Sequence, residues 1–421
     1  MVTAVEPPKG PEARTTGLMP WLYKRLPIRE FIETQATGYY APKNFNLWYF
    51  FGFIAMVVLA LQLLTGIYLA MFYKPGEATA FDSVEFIMRE VDSGWLIRYL
   101  HSTGASAFFV VVYLHMYRAL MYGSYRAPRE LLWLFGMLVY LALMAEAFMG
   151  YVLPWGNMSY WAAQVIVNIF GTIPGIGPTL VEWIRGDYGI ADSTLNRFFS
   201  LHVIAVPLAL LLLVLLHLVA LRRAGSNNPD GIEIKQNLGP DGHPVDGIPF
   251  HPYYTVKDTF GIGVFLVLFA IVVFFLPTFG GYLLEHANFE PANRFSTPPE
   301  ITPSWYFTPY YAILRAIPDQ RLGALALLLS LVVYLLLPWL DRSPVKSIRY
   351  KGPWSRLFLG IFTVSFLGLM YSGLHGVTPF YVAIGRICTV GYFSFFVLMP
   401  LYTRLERVKP VPARVRFRAH G

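Results

Sequence analysis

The chain has 421 residues, 56% of them hydrophobic and only 14% charged, with a mean hydropathy of +0.49, which excludes an ordinary soluble domain. Its formal charge of +8 calls for no nucleic acid, because basic loops facing anionic lipid account for it. The single cysteine, Cys388, excludes a disulfide, an iron–sulfur ligand set and attachment of a cofactor through paired cysteines.

In chain order, a polar leader at 1–46 is too long for a cleaved signal peptide, so the first apolar run, 47–72, is expected to remain as a membrane helix. Seven more runs long enough to cross the hydrocarbon core follow near 99–122, 131–153, 198–221, 260–279, 322–340, 357–374 and 380–402. The expected fold class is all-α, a polytopic membrane protein of eight transmembrane helices. The expected parts are a cytoplasmic or interfacial segment at 1–46, a four-helix domain at 47–240 and a second four-helix domain at 241–421.

Most of the 33 basic residues fall at the termini and in the second, fourth and sixth connections, including Arg222, Arg223, Lys346, Arg349, Lys351 and the run from Arg404 to Arg418. The positive-inside rule then places both ends in the cytoplasm.

Two of these spans carry paired histidines. His101 and His115 are fourteen residues apart on the second span, and His202 and His217 are fifteen apart on the fourth. At about 1.5 Å rise per residue each pair covers roughly 21 Å and stays near one helical face. Imidazole is a common axial ligand of haem iron, and two imidazoles per iron leave no position for oxygen, which suits electron transfer. Any one of these histidines alone reads as a buried ring bonded to a carbonyl. Four at matched heights point to two stacked haems, held noncovalently as b-type because no cysteine pair exists.

Gly52 and Gly66 on the first span and Gly136 and Gly150 on the third repeat the fourteen-residue interval. They either clear a wall for a flat macrocycle or let membrane helices approach closely. Arg98, three residues before His101, and Arg118, three after His115, either neutralise haem propionates or snorkel to the interface. The orientation puts His101 and His202 near the outer face and His115 and His217 near the inner one.

The connections hold the remaining chemistry. GYVLPWGNMSYWAAQVIVNIFGTIPGIG at 150–177 and TPPEITPSWYFTPYYAILRAIP at 297–318 are aromatic, Pro-punctuated and outer, as suits interfacial helices lining a lipophilic pocket. RRAGSNNPDG at 222–231 and FHPYYTVKD at 250–258 bring basic, hydroxyl and acidic groups to the inner side. There Asp258 either exchanges protons with a reducible ligand or caps the fifth span.

From about Trp48 to Val411 these features resemble the cytochrome b family, the diheme quinone-binding subunits of the cytochrome bc complexes. The resemblance is carried by the two histidine pairs, the glycine pairs, GYVLPWG at 150–156, SNNP at 226–229, HPYYTVKD at 251–258 and the Pro-x-Trp-Tyr loop at 303–306. It implies a low-potential outer haem on His101 and His202 and a high-potential inner haem on His115 and His217. Tyr151, the 159–165 segment, Pro303, Trp305 and Tyr306 would line a quinol oxidation pocket. Arg222, Ser226, Lys257 and Asp258 would border a quinone reduction pocket.

The implied activity is bifurcated: one electron goes to a mobile Rieske-type iron–sulfur protein and on to a membrane-anchored c-type cytochrome, the other across the membrane to quinone. A homodimeric complex in a bacterial inner membrane, with protons released outside and taken up inside, completes the expectation.

Three departures from the family pattern stand out. Ser304 replaces the glutamate usual between Pro303 and Trp305, and a hydroxyl cannot act as a base near pH 7. Ala162 stands where glycine is usual. Arg222 stands where histidine is frequent and, like the fifteen-residue histidine interval, resembles photosynthetic relatives, although eight spans and the lack of a cysteine near the first span favour the respiratory type. For the missing base the sequence offers Glu300, expected four residues before Ser304 on one helical face; it otherwise caps a short helix or contacts the iron–sulfur protein. Two readings from other classes are a diheme anchor for a peripheral dehydrogenase, which has no use for the outer proline-rich loop, and a transporter whose histidines only pack.

Overall fold

The computed structural model describes residues 17–26 and 38–416. The expected N-terminal segment therefore falls partly on residues 1–16 and 27–37, outside the described residues. The helices are α1 (Leu18–Arg25), α2 (Phe50–Ala70), α3 (Ala80–Arg89), α4 (Gly94–Tyr122), α5 (Glu130–Val152), α6 (Asn157–Phe170), α7 (Gly177–Arg185), α8 (Asp192–Ala224), α9 (Tyr253–Phe275), α10 (Thr308–Ala316), α11 (Gln320–Leu340), α12 (Pro353–Gly373), α13 (Pro379–Val397) and α14 (Met399–Leu405). Eight of them, α2, α4, α5, α8, α9, α11, α12 and α13, are long and apolar enough to cross a membrane, in agreement with the eight apolar runs. The fourth starts at Asp192 rather than 198, because the polar turn before the apolar run is already helical.

In the first half, α2 packs along α4 and α5 along α8, and the two pairs face each other as a four-helix bundle. In the second half α10, α11, α12 and α13 pack together, while α9 lies against α2 and α4. One buried apolar cluster runs through both halves, from Val58 and Phe109 to Tyr310, Tyr334 and Phe396.

α8 is irregular where it matters. Leu201–Ala205 form a π-helical turn containing His202, and the Val206 N–H reaches five residues back to the Leu201 carbonyl. Pro207 has no N–H to offer a regular ladder here. A π turn accommodates one extra residue. The fifteen residues from His202 to His217 thus cover the height that fourteen cover on α4, and the odd interval has a local bulge as its geometric cause.

Two connections are fastened at opposite ends of the bundle. At the end expected to face outward the chain after α5 is locked to the chain before α10: the Asn157 N–H donates to the Glu290 carbonyl (2.8 Å), Ala292 N–H to the Trp155 carbonyl (2.9 Å) and Ser159 N–H to Asn288 Oδ1 (3.0 Å). At the inner end strand β1 (Tyr40–Pro42) pairs antiparallel with β2 (Gly247–Pro249), with Ala41 opposite Ile248.

Candidate functional site

The four histidines meet as two pairs across the bundle. The rings of His101 on α4 and His202 on α8 have centroids 6.2 Å apart, and those of His115 and His217 are 6.4 Å apart. Two imidazole–metal bonds of about 2 Å plus two half-rings add up to roughly 6 Å. Each pair is therefore spaced for one metal atom between its rings.

Hydrogen bonding settles which nitrogen of three rings is free to ligate. His202 Nδ1 meets the Glu146 carbonyl (2.9 Å) and His217 Nδ1 the Leu132 carbonyl (3.0 Å), and a carbonyl only accepts, so both Nδ1 atoms carry the hydrogen. The Thr65 hydroxyl donates to the Leu61 carbonyl (2.7 Å), so it accepts from His101 Nδ1 (2.9 Å). In all three the Nε2 lone pair is left for a metal. His115 Nδ1 is buried without a hydrogen-bond partner among the described residues.

Each glycine of the repeated interval faces one of these rings. A Cβ on Gly52 would lie 3.1 Å from His115 Cε1, on Gly66 3.2 Å from His101 Cε1, on Gly136 3.0 Å from His217 Cε1, and on Gly150 it would collide with His202. The glycines leave room for the ligand rings, so the interval shared with the histidines has a geometric cause.

A cavity surrounds each pair, walled by all four helices. The outer one, about 220 Å³, is lined by Gly66, Arg98, His101, Gly150 and His202 and continues to Tyr151, Ser304 and Tyr306. The inner one, about 1040 Å³, is lined by Gly52, His115, Arg118, Gly136 and His217 and continues to Arg222, Ser226, Lys257 and Asp258. Arg98 and Arg118 thus stand in the cavities rather than at a lipid surface, and Arg118 Nε is buried without a partner among the described residues. An apolar slot with two opposed imidazoles, facing glycines and an arginine fits a haem with its propionates.

At the inner wall, Arg222 stacks over the Tyr39 ring (4.1 Å), Tyr39 shares a hydrogen bond with Ser226 (2.8 Å), and Lys257 donates to Tyr253 (2.7 Å). Tyr39, which sequence reasoning overlooked, lies far upstream in the leader. At the outer wall the Tyr306 ring stacks on Phe109 (4.0 Å, 2°).

Several expected residues are not on that wall. Trp305 turns to Ser106, donating to its hydroxyl (3.1 Å). Pro303 is buried, and so is Ala162 on α6, and neither lines the cavity. Glu300 departs from its expected place. Residues 297–304 form no helix, so Glu300 and Ser304 share no face; the Glu300 carboxylate is exposed and lies against Gly376.

Two carboxyl groups that sequence reasoning missed stand there instead. Glu146 on α5 brings Oε1 to 3.0 Å from His202 Nδ1. Glu285 accepts from the Tyr151 hydroxyl at 3.0 Å, and burial raises its pKa to about 7, against the opposing effect of its own backbone N–H and Tyr151. Glu146 did have a signal, since an acid inside an apolar span marks a function by default.

Known proteins resemble this chain in sequence and in fold. Residues 36–225 match the family described as Cytochrome b/b6/petB, and 291–393 the one described as Cytochrome b(C-terminal)/b6/petD. The chain is 55% identical to a cytochrome b of Allochromatium vinosum over 96% of this chain and 99% of the relative, and 48% identical to one of Rickettsia bellii over 95% and 97%. A solved chain titled "Hyperthermophilic respiratory Complex III" superposes with a TM-score of 0.86 at 39% identity, covering 92% of this chain and 99% of that one. With opposed histidine pairs, facing glycines and these relatives in agreement, the chain belongs to the cytochrome b family.

Proposed function

We propose that this chain is the diheme b-type cytochrome of a proton-translocating quinol–cytochrome c oxidoreductase, oxidising quinol at the outer cavity and reducing quinone at the inner one. The observation that carries the reading is the pairing, at each end of the bundle, of a metal-spaced histidine pair with a polar-edged cavity. Held between the histidines, haem supplies one-electron transfer along the bundle. His101 and His202 hold the outer group and His115 and His217 the inner one, with Arg98 and Arg118 facing the propionates.

At the outer cavity Tyr151, Ser304 and Tyr306 offer hydroxyls to quinol. At the inner cavity Arg222, Ser226, Lys257 and Asp258 hold quinone, and Asp258 and Lys257 are placed to deliver protons taken up from the cytoplasm. An iron–sulfur protein of Rieske type and a membrane-anchored c-type cytochrome complete the oxidation, in a homodimeric complex of a bacterial inner membrane with both termini cytoplasmic. The diheme part spans 47–240, and 241–421 supplies the outer quinol loop.

The test is a reduced-minus-oxidised spectrum of the purified protein together with quinol-dependent reduction of cytochrome c by its complex. Two b-type signals and an active complex are expected. One that shows both signals but reduces no cytochrome c would instead be a diheme anchor for another dehydrogenase.

A further inference from the structure

We propose that Glu285 accepts the proton released outward when quinol is oxidised in the outer cavity, with the Tyr151 hydroxyl as the link between quinol and carboxylate. The proposal rests on the quinol reading of that cavity. It starts from a vacancy in chemistry: Ser304 occupies the wall position with a hydroxyl that cannot take a proton near neutral pH, and Glu300 faces Gly376.

Two other carboxyl groups stand close enough to serve. Glu146 is on the wall, but its Oε1 is engaged by His202 Nδ1 at 3.0 Å and its Oε2 is buried with no hydrogen-bond partner among the described residues, so no hydroxyl links it to quinol on one side or to water on the other. Glu285 is joined to the wall through one bond, from the Tyr151 hydroxyl at 3.0 Å. It is only partly exposed, and the next residue, His286, is exposed, so a proton on Glu285 is one side chain from the outer water.

The placement is held rather than incidental. The Glu285 carbonyl accepts from the Asn288 N–H (3.0 Å), Asn288 Oδ1 accepts from the Ser159 N–H (3.0 Å), and Gly156 bridges to Pro291, so the turn carrying Glu285 is fastened to the start of α6. In the proposed step the quinol O–H bond breaks and its proton passes to the Tyr151 oxygen. The phenolic proton of Tyr151 passes in turn to Glu285 Oε2, while the electron leaves to the one-electron acceptor, the iron–sulfur partner. Tyr151 ends as it began, and the carboxylate is neutralised.

An acceptor works best when its pKa lies near the working pH, and burial lifts the Glu285 carboxyl to about 7. The titratable groups facing it from neighbouring elements are two phenols, Tyr151 of α5 and Tyr306 of the turn before α10, and on its own turn His286 lies against Gly281. A phenol ordinarily titrates near 10, and burial pushes Tyr306 higher still. Among Tyr151, Tyr306 and Glu285, the groups joined to the cavity wall, Glu285 is thus the one whose charge changes near neutrality. It is ionised above about pH 7, so quinol oxidation rises through that pH and levels off above it.

Glu285→Gln in the complete complex tests this, because an amide oxygen still accepts from Tyr151 and preserves the structural bond. Expected is at least about a tenfold loss in quinol oxidation and disappearance of the rise through neutral pH, with both b-type signals and inner-site quinone reduction unchanged. Ser304→Glu added to that variant should restore part of the rate. A Glu285→Gln complex with the wild-type rate and pH profile overturns the proposal, and so does one that loses a b-type signal, which would assign Glu285 to the fold. Failure of the wild-type complex to oxidise quinol at all would instead overturn the reading of the cavity.

Discussion

His202 shows how much a single residue's surroundings can decide. Its Nδ1–H is shared between two acceptors on one residue, the Glu146 carbonyl at 2.9 Å and Oε1 at 3.0 Å. Its inner counterpart His217 has a carbonyl alone, at 3.0 Å. An extra acceptor makes an imidazole a more basic ligand and favours the oxidised metal, which lowers the potential. Under the proposed diheme reading, Glu146→Ala should therefore raise the midpoint potential of the outer haem and leave the inner one where it is. Potentiometric titration of the two b-type signals decides, and an unmoved outer potential would remove Glu146 from this role. The glycines permit a matching test. Gly150→Val should abolish the outer signal, roughly half of the b-type absorbance, because the new side chain occupies the His202 ring position; Gly360, with nothing within 4 Å of a Cβ, should accept alanine without spectral change. The histidines and glycines were legible because a shared interval survives as a shared height on straight helices. Glu285 was not, since it acts on a residue that only folding brings beside it; Glu146 was marked only as an acid within an apolar span, and its partner His202 emerged with the fold.

Among the elements, the eight spans could be read from composition because a bilayer demands long apolar runs and little else. Their local irregularities could not. The π turn at Leu201–Ala205 leaves no pattern in an all-apolar stretch, and the odd histidine interval was its one trace. Likewise the segment before Ser304 reads as helical by spacing, but three prolines at 298, 299 and 303 keep residues 297–304 out of a helix. The bulge carries its own prediction. Deleting Val203 converts the π turn to a regular one and keeps His202 at the height of His101, so both b-type signals should persist. Inserting an alanine after Ile204 adds a residue that no bulge absorbs, turning His202 roughly 100° off its face, and should cost the outer signal. Loss of the outer signal on the deletion with retention on the insertion would refute this account of the interval.

Across the whole molecule, the inner end is closed by acids that tie together distant parts of the chain. Asp230 accepts from Asn44 (2.9 Å), Tyr350 (2.8 Å), Arg349 (3.1 Å) and the Arg416 N–H (3.1 Å). Asp246 accepts from Lys43 (2.9 Å), Arg414 (3.0 Å) and the Val415 N–H (3.1 Å). Residues near 43, 246 and 414 thus meet beside the inner cavity, a convergence that charge patterning alone does not reveal. Burial would raise the Asp246 carboxyl, but the bonds from Arg414 and Lys43 outweigh it and hold the pKa at about 2. With the folded value below the ordinary one, the ionised group stabilises the fold above about pH 4, and that contribution fades as pH falls toward 2. Arg414 is half exposed, so solvent screens the pair and its contribution to stability is small. Asp246→Asn should lower the melting temperature of the detergent-purified protein at pH 7 and weaken its further fall between pH 5 and 3, the upper part of that window. Thermal unfolding across this range, wild type against variant, is the measurement. Identical acid sensitivity in the two would show that the bonds around Asp246 do not hold the inner end together.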